Sequence, residues 1–116
     1  MEAILNGGFH EATVTSLAVD GSTVTIGLEG VYRDDGIQDV IVILLGVRET
    51  LVDGVLNERV AMESDDGEVL TLDQTGNLIE LIVLWNEYSP RKSITVSYSF
   101  VCDVVRIHPA RPVETS

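Results

Sequence analysis

The chain has one cysteine, Cys102, in 116 residues, so no internal disulfide can form and a stapled secreted mini-domain is excluded. Histidine occurs twice, and neither Cys-x-x-Cys nor His-x-His is present, the close ligand pairs by which zinc sites announce themselves. The His-x-His-and-glutamate pattern of metal-binding cupins is missing as well. There is no Gly-x-Ser-x-Gly elbow and no glycine-rich loop leading into a helix that would cradle a phosphate. No metal, no cofactor and no enzymatic activity are therefore expected. The longest apolar run, Val40 to Val47, is far too short to span a bilayer. The opening Met1-Glu-Ala-Ile-Leu-Asn6 lacks the basic start and apolar stretch of a secretory signal, so the expected location is cytoplasmic, without membrane contact.

Positive charge is also scarce. Seven lysines and arginines stand against 19 acids, for a net charge of −12. Such a surface repels nucleic acid phosphates and excludes DNA or RNA as a partner. It attracts a basic protein and speeds the encounter at low salt, and the same acidity also serves solubility.

What is abundant is β-forming aliphatic sequence. Val14, then Leu17 and Val19 after a slip, precede Asp20-Gly21, and Val24, Ile26 and Leu28 follow on a strict period of two. Asp-Gly between alternating runs predicts a hairpin. Arg33-Asp-Asp-Gly36 makes the next turn. Val40 to Leu45 is apolar at every position, the pattern of a strand covered on both faces, and Gly46 reads as a bulge with the strand continuing through Glu49 and Leu51. Asp53-Gly54 turns again. Val60 and Met62 pair with Val69 to Leu72 across Ser64-Asp-Asp-Gly67. Leu78 to Trp85 reads as a buried strand, the stretch from Asn86 to Ser93 as a longer loop, and Ile94 to Cys102 alternates perfectly before Val104, Val105 and Ile107 carry the last strand on.

No helix has a place, and no repeat is visible. The prediction is an all-β, single-domain antiparallel sandwich or barrel of about seven strands joined by short Asp-Gly turns, occupying residues 1–108, with a flexible tail at 109–116. A chain of this length buries roughly two-thirds of its unfolded surface, enough for its own core.

Candidate contact residues fall in three groups. Asp34, Asp35, Asp65 and Asp66 lie in Gly-ended turns, where solvated Asp is the default. Tyr88, beside Glu87 and near Arg91, is of the residue type that anchors interfaces. Phe9, His10 and Glu11 lead into the first hairpin; there His10 either orients the strand through a hydrogen bond to backbone or to Glu11, or contacts a partner. Trp85 and Phe100 read as core, and Cys102 as a small buried hydrophobe.

Phe9-His10-Glu11-Ala12, Gly46-Val47-Arg48-Glu49, Leu84-Trp85-Asn86-Glu87-Tyr88 and Tyr98-x-Phe100-x-Cys102 together form a pattern across nearly the whole chain. It resembles a loose group of small bacterial β-rich proteins with a Phe-His-Asp-Ala opening and a closing Tyr-x-Phe-x-Cys strand, some assigned as immunity proteins against polymorphic toxins. Glu11 departs from the usual Asp. The resemblance implies a non-enzymatic acidic protein that inhibits a basic bacterial toxin. The alternatives are a self-associating structural β-module, with a homodimer as its form, and a small-molecule binder or enzyme with a site near His10.

Overall fold

The alternating runs form nine antiparallel strands: β1 (Thr13–Asp20), β2 (Thr23–Arg33), β3 (Gly36–Leu45), β4 (Glu49–Val52), β5 (Val55–Leu56), β6 (Asp66–Thr75), β7 (Leu78–Tyr88), β8 (Arg91–Val101) and β9 (Val104–Pro109). The computed structural model describes residues 9–33, 36–57, 60–64, 66–88 and 91–109, and of Arg33, Tyr88 and Arg91 the backbone alone. Among the described residues there is no helix, and none long and apolar enough to cross a membrane.

The strands make one sheet in the order β5-β4-β8-β7-β6-β1-β2-β3-β9, all-β and antiparallel as predicted. It is not closed, so the architecture is sandwich-like rather than a barrel: β5 and β9 remain as edges. β1 and β6 join the two halves of the sheet, with Thr13 and Glu68 as their one registered pair. Inside the fold lie Val24, Ile26, Leu28, Val42, Leu44, Ile79, Leu81, Val83, Trp85 and Phe100, each no more than 1% exposed. Burying rows of this kind supplies the main driving force for folding.

Several local expectations need correction. The first turn is centred on Gly21-Ser22, with Asp20 paired to Thr23 and positive φ at Gly21 alone. Asp53-Gly54 is the two-residue turn of the primed type, with both φ positive. Val60 and Met62 form no strand; Val60 is buried and Met62 packs on the core from an irregular segment. Gly46 is no bulge. It ends β3 at φ 66, and the chain crosses to the other edge, where β4 pairs with β8. The expected longer loop shortens, because Asn86–Tyr88 and Arg91–Ser93 are ladder residues. β9 runs to Pro109, which pairs with Val40, and residues 110–116, where the tail is expected, lie outside the described residues.

The structure also contains a repeat that the sequence hides. β1-β2-β3 and β6-β7-β8 are matching three-strand meanders, each followed by a strand that crosses to the third strand of the other: β4 joins β8, and β9 joins β3. Val14, Leu17, Gly21, Val24 and Ile26 correspond to Val69, Leu72, Gly76, Ile79 and Leu81 at one constant spacing. Both first strands carry a bulge at the same point, between Val14 and Ser16 and between Val69 and Thr71. The corners match bond for bond. Val47 N–H donates to Ser22 O at 2.8 Å and Arg48 N–H to Val101 O at 2.8 Å; their counterparts are Cys102 N–H to Asn77 O at 3.0 Å and Asp103 N–H to Leu45 O at 3.0 Å. Apolar pattern is conserved between the halves while identity is not, and that is why the sequence shows no repeat.

One rung works against the fold. Asp73 stands directly opposite Glu80, both exposed. Like charges at this spacing repel, so Asp73→Lys is expected to raise stability by about 0.2–1 kcal/mol at low salt. Urea midpoints at low and high ionic strength check this, since screening shrinks the gain.

Candidate functional site

Phe9 to Ala12 form a tight turn closed by Ala12 N–H donating to Phe9 O at 3.1 Å. Glu11 occupies its third position with φ 70, a conformation that ordinarily favours Gly or Asn. Two backbone bonds hold it there: Glu11 N–H to Val69 O and Val69 N–H to Ala12 O, each 2.8 Å. Phe9 is 1% exposed and belongs to the core, which corrects its reading as a contact residue. His10 and Glu11 are exposed. The His10 Nδ1 lies 3.0 Å from Leu70 O, so the ring is tied to β6, consistent with the orienting role, while its Nε2 approaches Glu11 Oε1 at 4.0 Å.

The other predicted residues divide between two hairpins. Asp66, half-buried, opens β6 with its N–H on Ser64 Oγ at 3.1 Å, opposite Asn86. Glu87 pairs with Lys92, and Tyr88 is the last residue of β7, paired with Arg91. These three share one end of the β6-β7-β8 leaf. Asp34, Asp35 and Asp65, together with the Tyr88 side chain, lie outside the described residues. Asp34 and Asp35 belong by sequence to the β2–β3 tip, closed by the Arg33–Gly36 pair, the counterpart of the β7–β8 tip in the other half.

At the β2–β3 tip the structure exposes two residues that sequence reading missed. Tyr32 and Ile37 sit opposite one another and are 57% and 65% exposed. A bulge puts them there. Glu29 and Gly30 together oppose Asp39, so the alternation slips, Val31 turns in at 0% exposed, and Tyr32 turns out. The Ile37 face continues along β3 through Asp39, Ile41, Ile43 and Leu45. The last three are half-buried, whereas Val40, Val42 and Leu44 on the other face are buried.

Under the other leaf, Trp85 Nε1–H donates to the Tyr98 hydroxyl at 3.0 Å, and both side chains are buried. Burial pushes the Tyr98 phenol above its ordinary 10.0; the Trp85 bond opposes the shift, and the Glu63 and Asp53 carboxylates add to it. Burial likewise raises the Cys102 thiol above 9.0, helped by Asp103 and opposed by Arg48. A raised thiol is the opposite of an activated nucleophile. Both groups hold their protons more tightly folded than unfolded. Their contribution to stability is therefore constant below pH 9 and is lost as pH rises through 9 and then 10. Denaturation midpoints followed upward from neutral pH should fall in that window, and Cys102→Ala should delay the onset of the fall.

No group of three or more histidine, cysteine or acidic side chains that could hold a metal ion occurs among the described residues. No protein-family model, curated protein or solved structure matches the chain. The motif residues Phe9, Trp85, Tyr98, Phe100 and Cys102 are all core. What they describe is an architecture.

Proposed function

We propose that the protein is a non-enzymatic acidic binding protein, in its most concrete form an immunity-type inhibitor that occludes the cationic groove of a basic toxin. The observation that carries this reading is the exposed Tyr32–Ile37 rung. The matching rung of the other half, also second from its tip, holds Glu87 opposite Lys92, so the fold itself does not demand an apolar pair at this place. An exposed aromatic with an aliphatic neighbour, followed beyond Asp39 by Ile41, Ile43 and Leu45, has the residue types of an interface core. Asp34 and Asp35, which follow Arg33 in sequence, and a net charge of −12 supply the steering toward a cationic surface. The toxin-inhibitor form rests on the motif resemblance together with that charge.

The test is capture from a lysate of the source organism. Tagged wild-type protein should retain a basic protein at low salt and release it at high salt, while Tyr32→Ala and the double reversal Asp34→Lys, Asp35→Lys should each lose it. Equal retention by all three, or no basic protein retained, defeats the reading.

A second reading, self-association, is favoured by the half-buried Ile41, Ile43 and Leu45 row and by Val104 beside it on the β9 edge, 39% exposed. A two-fold contact of this face would complete its burial. Light scattering decides it: a monomer at high concentration removes the motive.

A further inference from the structure

At the opposite end of β1 from His10, a cleft of about 310 Å³ is lined by Val19, Gly21, Val47, Arg48, Glu49 and Thr50. The internal repeat shows why it is open. The counterpart of Val19 is Gln74, one strand residue before the matching turn, and the counterpart of Gly21 is Gly76, with φ 57 against 61. Gln74 is 9% exposed and its carboxamide Nε2 donates to Gly76 O at 3.1 Å, so in the second half a polar side chain folds back over the turn. Val19 has no polar atoms and two fewer heavy atoms of reach. The first half thus keeps the backbone of that position without the carboxamide that folds back onto the turn in the second.

Beside Val47 and Thr50, the lining carries two charged residues of opposite sign, Arg48 and Glu49. The Arg48 guanidinium meets Asp103 at 3.2 Å and is 58% exposed; with five donors it has more than one carboxylate contact consumes. Glu49, the next residue, is exposed and carries the opposite charge. We infer that this cleft is a binding site for a small zwitterion of the free α-amino acid class, with Arg48 taking the carboxylate, Glu49 the ammonium, and the Gly21 turn a side-chain donor. The volume holds roughly ten waters at about 30 Å³ each, ample for such a molecule.

Free glutamine is the probe, because its side chain reproduces the carboxamide of Gln74. Titrated into the full chain, it should produce saturating amide shifts at Gly21, Arg48, Glu49 and Thr50 in a nitrogen–proton correlation spectrum. Val19→Gln, which transplants the plug from the second half, should abolish these shifts while leaving the dispersed spectrum of a folded protein. Glu49→Gln, a change at an exposed strand end, should weaken binding about tenfold or more by removing a charged partner. Wild-type amides that do not move, or shifts that persist undiminished in both variants, overturn the proposal. A Val19→Gln protein that fails to fold leaves the Glu49→Gln titration to decide.

Discussion

Trp85→Ala is expected to lower the unfolding free energy by about 3–5 kcal/mol, the cost of a large core truncation. Trp85 is fully buried on the inner row of β7, against a neighbour that has no side chain to lend. A Cβ on Gly67 would come within 2.6 Å of the indole Cε3, so the ring occupies the space that Gly67 leaves. Removing it opens a cavity the surrounding strands cannot close, and it takes the donor from the Tyr98 hydroxyl. Against a total of about 5–15 kcal/mol for a domain, such a loss is a large fraction of the margin. The melting temperature should fall by roughly 12–20 °C. Trp85→Phe separates the two contributions: it keeps most of the ring volume and loses the donor, so about 1–3 kcal/mol is expected. Equal losses for the two variants, measured by urea denaturation, would rule out this division.

The second large effect concerns binding and not stability. Tyr32→Ala should weaken association with the retained basic partner by about 2 kcal/mol or more, roughly 30-fold, as truncating an aromatic anchor does. Its effect on folding should stay within about 0.5 kcal/mol, because a side chain 57% exposed has little packing to lose. The loss should appear in the dissociation rate, whereas reversing Asp34 and Asp35 should act on the association rate and on its salt dependence. A titration by calorimetry, with kinetics at two ionic strengths, distinguishes them. If Tyr32→Ala binds as the wild type does, the apolar rung is not the contact.

Much of the fold is legible in the chain because period-two alternation maps directly onto inner and outer faces. Val24, Ile26 and Leu28 are inward as read, and so are Val96, Tyr98, Phe100 and Cys102. Legibility fails where the period slips. Tyr32 has the parity of Leu28 and would read as core; the Glu29-Gly30 bulge reverses it, and the most exposed aromatic of the described chain emerges from an apparently buried position. The glycine in Glu29-Gly30-Val31, with φ 76, is the one sequence signal of that reversal. Corners fail for a different reason. Gly46 and Cys102-Asp103 look like interruptions of a strand, but each sends the chain to a different edge, and no local pattern encodes which edge receives it. Among the candidate residues, short-range placement is legible for His10 and Glu11, whose turn is local. The cleft is not, since it joins Val19 and Gly21 to residues 47–50, far along the chain, which only the crossing after β3 brings there.

The exchange of β4 and β9 has a consequence for how the protein comes apart. Each half lends its fourth strand to the other, as two protomers do in a domain-swapped dimer, but within one chain. Neither half holds a complete set of its own rungs, so opening one strips an edge from the other. The strand order therefore predicts that the two meanders unfold as one cooperative unit, with partial opening expected first at the two edge strands, β5 and β9.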